Sequence, residues 1–349
     1  MLNKLLGLFS YDIAIDLGTA NTLIGIKDRG IIINEPSCIA LNKNRSVLAV
    51  GNKSYEMVGK TPSGISTIFP LKDGVISDLD ACEKMLKYFI QKAHSSESGF
   101  AKIPRPRAII SIPSKVTEVE ERAVIRVAKD SGIREVYITS EPMSAAIGVG
   151  VDVSSPSGNM VIDVGGGTCD IAVISLGGIV VDQTKRLGGN KMNDAIINYC
   201  KDRFNVLIGD KQAEKIKSDF ANVGIKDLNT EDVKEYYEAS GRNLKTGLPE
   251  IIRLSHFDLH LALKELLDII VDSAKLAIED TPPELVSDLL KNGIYLVGGG
   301  SKLKGLDIVL HQALKIKIHI PQNAKTAVVD GNLKLLENKE LLEMVRIRM

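Results

Sequence analysis

The sequence predicts an α/β protein built by internal duplication, with two domains facing each other across a cleft, and three observations predict it. Two loops share one design: IAIDLGTANT at 13–22 and MVIDVGGGTCD at 160–170 each run from an apolar β-type stretch through an aspartate into glycine and threonine. Their leading aspartates, Asp16 and Asp163, stand far enough apart for each loop to open its own domain. Strand and helix patterns alternate between them, and the alternation restarts at the second loop.

An aspartate ending a buried strand brings its carboxylate to the edge of the sheet, and the glycines that follow let backbone N–H groups turn inward with no Cβ in the way. N–H groups converging beside a carboxylate make a phosphate cradle with an acid for magnesium, so a nucleotide clamped between the domains is the ligand implied. A third loop, YLVGGGSKLKG at 295–305, repeats the apolar strand and the glycines and predicts a helix start at Ser301. Any one of these loops could be a hairpin turn. Three of them exceed what turns require.

Residues 12–41 read as three strands, with a turn at Asp28, Arg29 and Gly30. A small insert of polar and strand character follows to about residue 70. The segment 78–93 places Leu79, Cys82, Leu86, Phe89 and Ile90 at helical spacing, HSSESGF at 94–100 is the most linker-like stretch, and RAIISIP at 107–113 is a buried strand. TEVEERAVIRVAKDSG at 117–132 is a helix with a capping threonine, an acidic first turn and a glycine stop. VYITSEPMSAAIGVG then supplies a strand, a corner and a short helix of small residues. After the second loop a strand covers 171–176. Residues 190–247 read as helical and highly charged, an outlying subdomain, and 257–278 as a long helix returning to the core.

With 349 residues the chain can bury a substantial core. Lys plus Arg and Asp plus Glu both number 44, so no global field draws in nucleic acid, and any membrane or polymer contact is local. Cys38, Cys82, Cys169 and Cys200 fall at no metal-ligand spacing, and Cys169 within a glycine loop argues against a disulfide framework, pointing to a reducing compartment. No apolar run approaches the roughly 20 residues of a spanning helix, and no secretory leader pattern opens the chain, so a cytoplasmic location is expected.

The loops, their order and the text between them closely resemble the MreB family, the bacterial branch of the actin superfamily, over nearly the whole chain. The likeness is carried by DLGTANTLI from Asp16, NEPS from Asn34, IPSKVTEVEERAV from Ile112, SEPMSAAIG from Ser140, DVGGGTCDIAVISLGGIV from Asp163, AEKIK from Ala213, TPPEL from Thr281 and GIYLVGGGSKLKGLD from Gly293. It implies an actin-like ATPase fold: duplicated ribonuclease-H-like domains facing a nucleotide cleft, with two small subdomains. The implied division is 1–34, 71–147 and 320–349 for subdomain IA, 35–70 for IB, 148–187 and 248–319 for IIA, and 188–247 for IIB.

The resemblance also implies ATP or GTP with Mg2+ as cofactors, the ion held by Asp16 and Asp163 chiefly through its waters. Gly18, Thr19, Ala20, Asn21, Gly165, Gly166 and Gly167 would meet the phosphates, Glu214 and Lys217 the nucleoside, and Gly298, Gly299, Gly300 and Ser301 the base and sugar. Glu141 and Thr168 match the positions that order the attacking water. That suffices for phosphoryl transfer, which needs positioning and charge stabilisation more than a strong base.

Each role has a plainer alternative in residue chemistry alone. Glu141 before Pro142 suits a helix start through the dipole, worth about 0.3–1 kcal/mol. Thr168 could cap a turn, and Glu214 and Lys217 could be a solvated i,i+3 pair. The chain departs from the family pattern at Cys169 and Asp170, where a second threonine and a glutamate are usual, and at Asn190, where aspartate is common. AVVDGNLKLLE at 327–337 keeps Gly331 but lacks the usual small residues. The water-ordering pair is retained, so hydrolysis is expected, its rate left open.

MLNKLLGLFS places Leu2, Leu5, Leu6 and Phe9 on one helix face, which either lies in a lipid interface or docks on the first domain. Phe100 coincides with the region where family members carry a second membrane-inserting element, and Arg346 and Arg348 either meet anionic lipid or belong to a frayed end. Burying four such side chains is worth at most roughly 6–12 kcal/mol before ordering costs, so one copy binds weakly and a polymer binds well. Polymerisation rests on the resemblance: head-to-tail subunits pairing into double protofilaments at the inner face of the membrane, with other cytoskeletal or wall-synthesis proteins as further partners. The rival readings are a small-molecule kinase of the same fold, a heat-shock ATPase of the seventy-kilodalton class, and a motility or DNA-partitioning filament.

Overall fold

The computed structural model describes residues 11–95, 105–224 and 235–347. Leu2, Leu5, Leu6, Phe9, Phe100 and Arg348 lie outside them. Its two halves are one sheet built twice. In the first, Ile13–Leu17, Asn21–Ile26 and Gly30–Pro36 form an antiparallel meander, extended in parallel beyond its first strand by Arg107–Ile112 and Glu135–Ser140. In the second, Asn159–Val164, Cys169–Ser175 and Gly178–Lys185 form the meander, and Ile294–Val297 and Ile318–His319 extend it in the same order. Asp16 and Asp163 hold the same penultimate place in their strands. Both strands are central and covered on both faces, which is why they read as unbroken apolar runs up to the acid.

The helices Glu141–Gly148 and Ala327–Glu337 lie between the sheets. One core cluster runs from Ile109 of the first sheet through Met143, Ala145, Ala327 and Val328 of these helices to Val161, Ala172 and Val297 of the second. The helices cross at glycines: a Cβ on Gly331 would stand 1.8 Å from the carbonyl oxygen of Ser144, and one on Gly148 1.8 Å from that of Ala327. Backbone cannot yield as a flexible side chain can, so Gly331→Ala is expected to cost about 3 kcal/mol or more. Urea unfolding with an unchanged midpoint would refute so close a crossing.

The insert after residue 36 is a sheet of Ile39–Asn42, Val47–Val50 and Ile65–Ile68 with the helix Asn52–Met57. The helix Leu79–Ser95 buries Cys82, Leu86, Phe89 and Ile90 as their spacing predicts, while Leu79 at its start is exposed. Glu118–Asp130 begins with a capping box between Thr117 and Glu120, and His256–Glu279 is the long returning helix. All four cysteines are free and buried. Among the described residues no helix is long and apolar enough to cross a membrane.

Residues 190–247 correct the helical reading. After the helices Gly189–Phe204 and Asp210–Lys215, the chain turns into an antiparallel hairpin of Tyr236–Asn243 and Pro249–Ser255 beside Val206–Leu207. Only Ala239 is buried in the first hairpin strand, so polar residues on both faces erase the period-two pattern. The legible signal was the turn, where Asn243 Oδ1 accepts from the N–H groups of Lys245 and Thr246 and Gly247 takes φ 76°.

Candidate functional site

The two glycine loops meet. A Cβ on Gly166 would stand 2.5 Å from the Cβ of Ala20, and one on Gly167 2.4 Å from Thr19 Oγ1, so only glycine lets the two halves approach this closely. The first loop is braced by Ser37, whose Oγ donates to the Gly18 carbonyl at 2.6 Å and pairs with Thr22 Oγ1 at 2.8 Å. The serine of NEPS therefore has a structural task. The second loop is braced by the start of the helix Gly189–Phe204: the N–H groups of Gly189 and Asn190 donate to the carbonyls of Gly165 and Gly166 at 3.0 and 2.9 Å.

A cleft of about 360 Å³ opens between the loops, a size suited to small-molecule sites. Asp16, Gly18, Thr19, Ala20, Asn21, Glu141, Asp163, Gly165, Gly166, Gly167, Thr168, Glu214, Lys217, Gly298, Gly299 and Gly300 all line it. Ser301 does not: it is buried in a 3-10 turn over Gly299–Lys302, its hydroxyl donating to the Gly298 carbonyl at 2.7 Å. The predicted helix start there is corrected too, because the α-helix begins only at Leu306. Lys302 and Leu303 reach the cleft instead.

Sequence reasoning missed the hairpin of Leu71–Lys72 and Val75–Ile76. At its turn Gly74 takes φ 83°, donates its N–H to Thr19 Oγ1 at 2.9 Å, and would place a Cβ 2.5 Å from Thr168 Cγ2. The Asp73-Gly74 pair signals a turn, yet nothing local says that the turn packs on both loops. The contact of Lys211 with Tyr55 was equally hidden: Lys211 Nζ sits 4.7 Å over the Tyr55 ring, bridging Asp210–Lys215 and Asn52–Met57.

Glu214 and Lys217 are not a freely solvated pair. Lys217 Nζ donates to Glu214 Oε2 at 2.7 Å and to the Gly189 carbonyl at 2.8 Å, Asn193 Nδ2 also donates to Glu214, and the lysine side chain is only 12% exposed. Burial pulls its ammonium below the ordinary lysine range, against the pull of Glu214.

Carboxylates crowd the floor of the cleft. Asp170 lies opposite Asp163 in the antiparallel ladder. Burial pushes Asp16 from 3.8 to about 7, and pushes Glu141 and Asp163 well up with added repulsion from Asp170 and Asp16. Asp170 is raised by burial as well; its Oδ1 accepts from Thr184 Oγ1 at 2.6 Å and from the Ser114 N–H at 3.2 Å, while among the described residues Oδ2 has no partner. Buried acids held in this way call for a cation. Among the described residues no three of His, Cys, Asp or Glu are grouped to cage a metal unaided. Asp16 and Asp163 fit magnesium, which takes one or two carboxylates together with waters and phosphate oxygens.

A pH dependence follows. Below 3.8 Asp16 is protonated folded or unfolded; between there and about 7 the folded chain keeps a proton that the unfolded chain releases, so stability falls as pH rises through that window. Glu141 and Asp163 act with the same sign. The nucleotide-free thermal midpoint should therefore drop between pH 5 and 7.5, and Mg2+ should flatten the drop. A midpoint that rises with pH would contradict the crowding.

The chain matches the family model described as MreB/Mbl protein over residues 10–344. It is 43% identical to the cell shape-determining protein MreB of Escherichia coli K12 over 342 residues, 97% of this chain and 96% of that protein. It is 44% identical to the cell shape-determining protein Mbl of Bacillus subtilis 168 over 336 residues, 96% and 98% of the two chains. Among solved structures, MreB 5 of Spiroplasma citri bound to AMPPNP superposes with a TM-score of 0.87 at 33% identity, covering 95% of this chain and 97% of that one. The duplicated sheets thus carry the expected actin-like ATPase fold, and the chain belongs to the MreB/Mbl family.

Proposed function

We propose that this chain binds ATP with Mg2+ in the cleft, hydrolyses it slowly, and assembles into actin-like filaments on the inner face of the membrane that govern cell shape. The carrying observation is that two glycine loops, each led by an aspartate at the same place in a repeated sheet, close on one cavity from opposite sides. Asp16 and Asp163 hold the ion, which neutralises charge on the phosphoryl group when bound. The loop N–H groups from Gly18 to Asn21 and those of Gly166 and Gly167 take the phosphates, while the Gly165 N–H, expected among them, donates instead to the Thr168 carbonyl at 2.9 Å and holds the loop closed. Glu214 and Lys217, fixed by Asn193 and Gly189, take the sugar, and Gly298 to Gly300 border the base. Glu141 and Thr168 order the attacking water.

An ATP analogue in the relative from Spiroplasma citri supports the choice of an adenine nucleotide. Four subdomains would give the cleft its mouth and floor, with the boundary expected after 247 moved beyond Ser255, because Pro249–Ser255 pairs along its length with Tyr236–Asn243. Lipid contact would run through Leu2, Leu5, Leu6, Phe9 and Phe100. Arg346 is a poor lipid ligand, since its guanidinium pairs with Glu343 at 2.7 Å and lies 5.8 Å over Tyr137.

High-speed pelleting with Mg-ATP, Mg-ADP or no nucleotide tests the assembly. ATP is expected to move the protein into the pellet, and anionic liposomes to increase that fraction. Protein that stays soluble throughout while phosphorylating a small molecule would overturn the reading in favour of a kinase.

A further inference from the structure

We infer that Asn332 is a positioning residue for the acids of the cleft, its buried amide fixing Asp16 relative to the helical turn that begins at Glu141. The inference rests on the hydrolytic reading above. Asn332 is fully buried, and its amide is fully used. Nδ2 donates to Ser111 Oγ at 2.6 Å and to the Ile15 carbonyl at 3.3 Å; Oδ1 accepts from Ser144 Oγ at 2.8 Å and from Thr139 Oγ1 at 3.2 Å. Two donors and two acceptor sites are all that an asparagine side chain offers.

Every partner lies within three residues of a site acid or beside one in the ladder. The Ile15 carbonyl belongs to the peptide unit that enters Asp16, and Ser111 is the neighbour of Asp16 in the parallel ladder. Thr139 precedes Ser140, the N-cap of the helix that Glu141 opens, and Ser144 lies one turn further along that helix. The hydroxyls also bond one another, Thr139 with Ser144 at 2.9 Å and Ser111 with each of them at 3.2 Å. One amide therefore ties the strand bearing the cation-side acid to the helix bearing the water-side acid. Gly331, next in sequence, lets the helix come close enough to deliver it.

An apolar side chain would serve to fill the space, so packing alone does not call for an amide here. A satisfied buried network instead selects a single geometry. Hydrolysis is sensitive to that geometry, because a displacement of about 1 Å at a reacting group can cost on the order of 100-fold in rate.

The test compares wild type with Asn332→Leu, Asn332→Ala, Ser144→Ala and the Asn332→Leu/Ser144→Ala double variant. Three quantities are measured: single-turnover phosphate release, affinity for a fluorescent ATP analogue, and the Mg2+ concentration giving half-maximal binding of that analogue. For Asn332→Leu with a cooperative melt, release should slow by about 30–100-fold, nucleotide affinity should change by less than about threefold, and the Mg2+ midpoint should rise by about three- to tenfold. The double variant should be no slower than Asn332→Leu, since both changes break one link. Release within about twofold of wild type in a folded Asn332→Leu would overturn the inference. So would a parallel loss of rate, affinity and melting cooperativity in both Asn332 variants, the mark of general loosening. If wild type itself fails to hydrolyse ATP, the hydrolytic reading falls, and the Mg2+ midpoint decides the inference alone: a shift sustains it and an unchanged midpoint overturns it.

Discussion

Glu141→Ala is expected to slow ATP hydrolysis by about 100-fold or more while leaving ATP affinity within about threefold. Glu141 is the first residue of its helix and lines the cleft with Asp16 and Asp163, its carboxyl pushed well up by burial and by repulsion from Asp170, Asp16 and Asp163. A carboxyl group poised in this way, with Thr168 on the same cleft, can accept a hydrogen bond from a water and hold it in line. If Glu141 served only the helix dipole, its removal would cost about 0.3–1 kcal/mol of stability and nothing in rate. Single-turnover phosphate release from preloaded protein separates the two. Equal release by variant and wild type would remove Glu141 from the mechanism.

Asp163→Asn should give two effects of opposite sign. Asp163 is 5% exposed, faces Asp170 across the ladder, and is approached so closely by Gly298 that a Cβ there would fall 2.2 Å from its Oδ1. An isosteric neutral side chain removes a buried like-charge repulsion, so the nucleotide-free variant should melt higher than wild type at pH 8, by about 1–1.5 °C for each kcal/mol relieved. It also removes one of two carboxylates proposed for the ion, so affinity for Mg-ATP should fall by about 100-fold or more, several kcal/mol of lost charge-assisted contact. The stabilisation of about 2.7 kcal/mol that wild type gains at one hundred times its dissociation constant should shrink to about 0.4 kcal/mol or less. Thermal melts with and without Mg-ADP read both effects. A lower nucleotide-free midpoint would mean that Asp163 is structural, and retained stabilisation by Mg-ADP would mean that the ion is held elsewhere.

Features carried within a short stretch were legible before the fold was known. The capping box of Thr117 and Glu120, the buried stripe of Leu79–Ser95 and the aspartates ending the two repeated strands are written in neighbouring residues. Where the local pattern was ambiguous, reading failed. The hairpin Tyr236–Ser255 hides its strands because both faces carry polar residues, and Ser301 follows glycines that begin a 3-10 turn rather than a helix.

By itself the sequence determined the duplication, the two glycine loops, the acids that lead them and the family, because each depends on residue type at fixed short spacing. Tertiary structure alone decided how those pieces act on one another. Gly74 touching both loops, Lys211 over Tyr55, and Asn332 reaching the peptide unit of Asp16 all join residues distant in sequence. Such contacts leave no periodic trace, since each is fixed by the crossing of helices and the register of strands rather than by any neighbour along the chain.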